Sequence, residues 1–112
     1  MKKIEAVIRP ERLEQVKVAM EMQGQVAMTI TEVTGRGEQK GIALQFRGRR
    51  MEVDTLPKVK IETIVKDELV ESLVYAISNA ARTGKFGDGK IFVSSLDDII
   101  RVRTGEQGEK AL

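Results

Sequence analysis

The chain has 112 residues, of which 41% are hydrophobic and 32% charged, the proportions of one soluble domain with a modest core. It contains no cysteine and no histidine, which excludes disulfides, thiolate metal centres, a Ser-His-Asp triad and a phosphohistidine intermediate. A net charge of +2 and 4% aromatic residues offer little to nucleic acid.

No apolar run is long enough to cross a bilayer, and the first residues lack the apolar stretch of a signal peptide. The expected location is therefore the cytoplasm. Lys3–Ile8 reads as a strand. Pro10 suits the first position of a helix, where its missing N–H does no harm. Over residues 11–23, Leu13, Val16, Ala19 and Met20 mark one helical face, and Gly24 is a plausible stop. Residues 26–33 read as a second strand, with Met28, Ile30 and Glu32 alternating against Thr29, Thr31 and Val33.

Residues 36–56 resist assignment. They hold glycines, Arg47, Arg49 and Arg50, and few core-type residues. A segment of this length without structure of its own is usually functional or disordered, so it reads as a mobile arm. Pro57 opens the next strand, Val59–Val65. Asp67 can cap a helix whose buried stripe is Leu69, Val70, Leu73, Val74 and Ile77.

Three glycines then fall within the stretch Arg82-Thr83-Gly84-Lys85-Phe86-Gly87-Asp88-Gly89-Lys90. Such a loop can turn successive N–H groups inward to hold an anion, and its cations favour a phosphate. A long glycine turn is the plainer alternative. The spacing Gly84-x-x-x-x-Gly89-Lys90 is not a P-loop. Ile91 stands where the Mg²⁺-binding hydroxyl belongs, and the loop runs from helix to strand instead of strand to helix. The strand Ile91–Ser94 follows, then a short helical turn over 97–100. Ile100-Arg101-Val102-Arg103 alternates, which directs both arginines to one side, as a solvated edge or as phosphate ligands. The polar tail after Gly105 reads as frayed.

A weak repeat with offset 57 relates Ile4, Glu5, Glu11, Glu14 and Ala19 to Ile61, Glu62, Glu68, Glu71 and Ala76. Two strand-helix-strand halves predict an α+β, ferredoxin-like βαββαβ plan with both helices on one face of an antiparallel sheet. The other face then needs cover. Val7, Ile64 and Val33 are candidates for it, and self-association is the simplest cover.

The motifs Thr83-Gly84-x-x-Gly87-Asp88-Gly89-Lys90-Ile91-Phe92, Gly35-Arg36-Gly37-x-Gln39-Lys40-Gly41, Leu56-Pro57-Lys58-Val59-Lys60-Ile61-Glu62 and Arg101-x-Arg103-Thr104-Gly105 occur in order. With them the whole chain resembles the PII signal-transduction proteins of the GlnB/GlnK type, and GlnK most. The resemblance implies one domain over 1–112, with a T-loop at 36–56, the glycine loop at 82–90 and a C-terminal loop at 101–112. It implies a homotrimer with ATP or ADP bound in clefts between subunits. Gly87, Asp88, Gly89 and Lys90 would wrap the phosphates, and Arg101 and Arg103 would reach them. Thr29, Val7 and Ile64 would line the base. Gly35, Gly37, Glu38 and Gln39 complete the implied nucleotide set. Gln39 would also ligate Mg²⁺, and Lys58 would pair with a carboxylate of 2-oxoglutarate bound beside Mg-ATP. That order has a physical reason: metal and lysine must offset the repulsion between a dicarboxylate and a triphosphate.

The resemblance further implies a non-enzymatic nitrogen regulator that reaches the inner face of the membrane by plugging an ammonium transporter with Arg47. The alternative partner is a soluble nitrogen enzyme such as glutamine synthetase or acetylglutamate kinase. A slow ATPase is the weaker reading, because no base is at hand to position water. Met51 and Arg49 stand where relatives carry a modified tyrosine or serine, and the only tyrosine, Tyr75, falls in a predicted helix. Regulation by small ligands alone is therefore expected.

Overall fold

The computed structural model describes residues 1–37, 42–46, 49–53 and 55–112, with side chains for 1–37 and 55–112. The elements are β1 (Lys2–Ile8), α1 (Leu13–Met22), β2 (Thr29–Gly35), β3 (Ile42–Phe46), β4 (Arg49–Val53), β5 (Leu56–Val65), α2 (Asp67–Ala81) and β6 (Gly89–Ser95). The main sheet has the order β2-β5-β1-β6 with every neighbouring pair antiparallel. With both helices on one face, this is the expected ferredoxin-like α+β fold.

Period-two patterning explains which face each strand buries. Ile4, Ala6 and Ile8 of β1, with Val59, Ile61, Thr63 and Val65 of β5, are buried against Val16 and Met20 of α1 and Leu73, Ile77 and Ala81 of α2. Each isoleucine buried there contributes about 1.5–3 kcal/mol. Thr63 is the one polar member among the described residues, and its hydroxyl is satisfied. It donates to the Ala27 carbonyl at 2.8 Å and accepts from Gln25 Nε2 at 2.7 Å. Gly24 ends α1 as expected. At φ +84° its N–H reaches the Glu21 carbonyl at 2.9 Å, while that of Gln25 reaches Met20 at 3.0 Å. This pairing is the Schellman closure, which a side chain at Gly24 would strain.

Among the described residues, no helix lies on the opposite face of the sheet. Val7, Ile64 and Val33 lie there half-buried, where the alternation predicts them. The repeat has a structural echo on this face, because Glu5 and Glu62 are direct cross-strand partners. Like charges in that position repel. Lys3 lies between them, at 2.8 Å from Glu5 and 3.4 Å from Glu62, and Lys60 adds a contact of 3.1 Å to Glu62. Hydrogen bonding to Lys60, then to Lys3, holds the Glu62 carboxyl below its ordinary range. The two glutamates are thus surface partners of lysines and not an acid–base pair.

Several expectations need correction. The arm at 36–56 contains a β-hairpin: Ile42 faces Val53, Leu44 faces Met51, and Phe46 faces Arg49 across a two-residue connection. The alternation of Ile42, Leu44 and Phe46 carried that signal, which the surrounding glycines and arginines obscured. β2 starts at Thr29 and not at residue 26, because residues 25–27 instead supply partners to Thr63. Residues 10–12 form a 3-10 turn ahead of α1. Asp67 is not the cap of α2. It is the first helical residue, and its carboxylate pairs with the Met1 amino group at 2.9 Å, which holds it below the ordinary carboxyl range.

Residues 97–100 are not helical, and Ile100–Arg103 is not a strand. Ile100 bridges to Gln107, and Arg101 N–H donates to the Glu106 carbonyl at 2.9 Å, so 102–104 form a tight turn. The tail is not frayed either, since Gly108–Ala111 forms a 3-10 turn. Among the described residues, no helix is long and apolar enough to cross a membrane.

Candidate functional site

Two regions at opposite ends of the sheet gather the candidate site residues. The first is the glycine loop between α2 and β6. Asp88 organises it. Its carboxylate accepts hydrogen bonds from the Thr83 and Gly84 amides, both at 2.8 Å, from the Thr83 hydroxyl, and from Arg9 Nε at 3.0 Å. The Thr83 hydroxyl, then the Thr83 amide, Arg9 and the Gly84 amide, hold the carboxyl far below the ordinary carboxylate range, against the opposing pull of burial. Arg9 also donates through Nη2 to the Phe86 carbonyl at 2.6 Å. Lys58 Nζ donates to the Gly87 carbonyl.

Backbone geometry explains the glycines. Gly84, Gly87 and Gly89 have φ of +85°, +94° and +107°. Gly89 is the most constrained. A Cβ there would lie 1.8 Å from the Val7 carbonyl oxygen, because β6 enters the sheet in direct contact with β1. At Gly87 the nearest groups are cationic, with Arg9 Nη2 at 3.4 Å and Lys58 Nζ at 3.5 Å from such a Cβ. Lys90, Val7 and Lys60 occupy one row of the sheet, so the lysines flank Val7 on the open face. The Gly35 backbone closes against the Lys58 stem, where a Cβ would come within 3.4 Å. This end therefore combines exposed glycine backbone with Arg9, Lys58, Lys60 and Lys90, a setting suited to a polyanion.

The second region lies at the other end. A cavity of about 850 Å³ is lined there by Thr29, Ile64, Val26, Met28, Leu69, Ile99 and Leu112, among others. Its exposed lining is largely apolar, and Gln25, Thr29, Glu62, Lys66 and Glu68 contribute polar and charged groups to it. Such a surface suits the flat face of a base. The C-terminal loop packs at this end, bringing Arg101 with it. Arg101 Nη2 donates to a terminal Leu112 oxygen at 2.9 Å and to the Ala111 carbonyl at 3.4 Å, and Nη1 lies 3.6 Å from Glu106. Arg103 is exposed on the adjoining turn.

The residues named from sequence thus divide in two. Val7, Gly35, Gly37, Lys58, Gly87, Asp88, Gly89 and Lys90 gather at the glycine-loop end. Thr29, Ile64, Arg101 and Arg103 belong to the other end. Thr29 and Gly35 are the first and last residues of β2, six steps apart, which is about 20 Å along a strand. Within one chain the two groups do not meet. Glu38, Gln39 and Arg47 lie outside the described residues. Among those described, no cluster of three acidic or imidazole side chains could hold a metal. Tyr75 is in α2 with its ring exposed.

Sequence reasoning missed Arg9, the residue that ties β1 to the glycine loop. The Arg-Pro junction drew attention only to the helix start. An arginine directly after a central strand, at the end where a glycine loop returns, was the available signal.

The family model described as "Nitrogen regulatory protein P-II" matches residues 1–106. The chain is 54% identical over 112 residues to the "Nitrogen regulatory protein P-II 2" of Methanothermobacter thermautotrophicus, covering all of this chain and 97% of the relative. It is 51% identical to the "Nitrogen regulatory protein P-II" of Rhizobium meliloti and 53% identical to that of Bradyrhizobium diazoefficiens, in each case over the full length of both chains.

Proposed function

Because the chain belongs to the nitrogen regulatory protein P-II family, with a role in nitrogen-regulatory signalling, we propose that it senses ATP and ADP at crevices between the copies of a homotrimer. The observation that carries this reading is the separation of the two half-sites along the sheet. A glycine loop with four cations and a largely apolar recess roomy enough for a base are complementary parts of one nucleotide site, yet they sit at opposite ends of a subunit. Packing the uncovered sheet faces of neighbouring copies brings one copy's glycine loop to the next copy's recess. Val7, Ile64 and Val33 become buried in the same step. Lys90 and the loop amides then grip phosphate from one side, and Arg101 and Arg103 grip it from the other.

Magnesium would enter with the phosphates, because it keeps to oxygen ligands and needs few from protein. Gln39 is its proposed protein ligand. 2-Oxoglutarate would follow, with Lys58 at the glycine loop supplying the charge for a carboxylate. Each ligand favours one arrangement of residues 36–56, and that arrangement decides whether an ammonium transporter is inhibited through Arg47.

Calorimetric titration with Mg-ATP, with and without 2-oxoglutarate, tests the ligand part, and light scattering tests the assembly. We expect saturable heat from ATP and a mass about three times the 12.5 kDa chain. A monomer, or no heat from any adenine nucleotide, would end this reading. Capture of the chain by transporter-bearing membranes supports the transporter as partner, whereas capture only by a soluble nitrogen enzyme replaces it.

A further inference from the structure

We infer that the last residues of the chain act as a self-occupying latch on the base half-site, held by Arg101 and released by a polyphosphate. This inference rests on the nucleotide reading above and adds a regulatory contact to it.

Three observations converge. First, the Arg101 guanidinium is already engaged by its own chain, donating to a terminal Leu112 oxygen and to the Ala111 carbonyl and lying 3.6 Å from Glu106. Second, Ala111 and Leu112 line the same cavity as Thr29 and Ile64, so the tail occupies part of the wall that a base would contact. Third, the tail is seated by a folded unit. Gly108 N–H donates to the Ile99 carbonyl at 3.0 Å and to Asp98 Oδ1 at 3.1 Å, and residues 108–111 close a 3-10 turn.

The chemistry of exchange follows from the donors. Arg101 spends its N–H groups on the Ala111 carbonyl, on one oxygen of the terminal Leu112 carboxylate, and on the more distant Glu106 carboxylate. A polyphosphate carries more negative charge than the tail and offers oxygens that the guanidinium can meet with two parallel bonds, where the tail accepts one bond at each oxygen, so the phosphate is the stronger partner. When a polyphosphate draws Arg101 away, Ala111 and Leu112 lose their polar tether. Leu112 is already 40% exposed, so little apolar burial opposes its departure. The recess then opens as the phosphates dock. Adenosine without phosphate has no such lever and must displace the tail unaided.

The test combines hydrogen exchange of the Gly108–Leu112 amides in the intact protein, with and without Mg-ATP, and calorimetry on a variant with a loosened tail, Ala111→Gly/Leu112→Gly. The latch predicts faster exchange across the tail on ATP binding. It also predicts tighter ATP binding by the variant, by about three- to tenfold, because glycine keeps the backbone acceptors of Arg101 but raises the conformational entropy the tail gains on release, which weakens the latch. Equal ATP affinity in both proteins, with a tail as protected as before or more so, overturns the latch and leaves nucleotide binding standing. Absence of heat from ATP in both proteins overturns the nucleotide reading and the latch with it.

Discussion

Replacement of Gly89 by alanine is expected to lower stability by about 3 kcal/mol or more, a fall in Tm of more than about 10 °C for a domain of this size. Two costs combine. The residue sits at φ +107°, a backbone conformation that side-chain-bearing residues rarely adopt. Its Cβ would also lie 1.8 Å from the Val7 carbonyl oxygen and 2.9 Å from the Val7 carbonyl carbon. Those atoms belong to β1, a central strand paired on both edges, and cannot yield without loosening the sheet. The first residues of β6 must withdraw, taking Lys90 with them. Gly84→Ala is the matched control. At φ +85° with nothing within 4 Å of its Cβ, it should cost only backbone strain, about 1–2 kcal/mol. Thermal melts of the two variants side by side decide the matter. Equal melting temperatures would contradict the close entry of β6 against β1.

Loss of the Asp88 carboxylate is the second large effect. Asp88→Ala leaves the Thr83 and Gly84 amides and the Arg9 guanidinium without their shared acceptor. We expect a cost of about 2 kcal/mol, since bonds to a charged acceptor are individually strong but this one is partly solvated. Phosphate binding should weaken at least tenfold, because the loop no longer holds one shape. The effect has a pH signature. The folded carboxyl is held far below its ordinary value of 3.8, so the unfolded chain takes up this proton first as pH falls. The contribution is therefore complete at neutral pH, begins to fade as the pH drops below 3.8, and vanishes at the lower pH where the folded carboxyl protonates. Urea unfolding of the wild type and of Asp88→Asn should show a stability gap at pH 7 that narrows in acid. A gap that is constant, or that widens in acid, would remove Asp88 from its organising role.

Much of the fold was legible because its signals are strong and local. Ile4, Ala6 and Ile8, then Val59, Ile61, Thr63 and Val65, alternate without interruption, and period-two burial leaves few other arrangements. The repeat pointed to the correct sheet. The hairpin at 42–53 was obscured because glycines and arginines interrupt and flank its apolar positions. The C-terminal turn was missed for a different reason. Its order comes from bonds between Ile99, Arg101, Gly108 and Leu112, and no pattern within residues 105–112 announces them. At the site, glycine spacing revealed the loop but not its keystone. Asp88 reads as one more polar residue until its bonds to Arg9 and Thr83 are seen. Thr29 and Ile64 lack any intrinsic signal, since strand packing accounts for both. The division of the site between two ends could be seen only once the register was known.

That division is the central claim, and subunit mixing tests it most directly. Lys90→Ala damages the glycine-loop half and Arg103→Ala damages the other, so each homo-oligomer should bind ATP at least tenfold more weakly than the wild type. Unfolding the two variants together and refolding them at equal amounts should restore wild-type affinity at about a quarter of the crevices, those where both intact halves meet. A mixture that binds no better than its two components would show that the halves do not come from neighbouring copies, and would contradict the account.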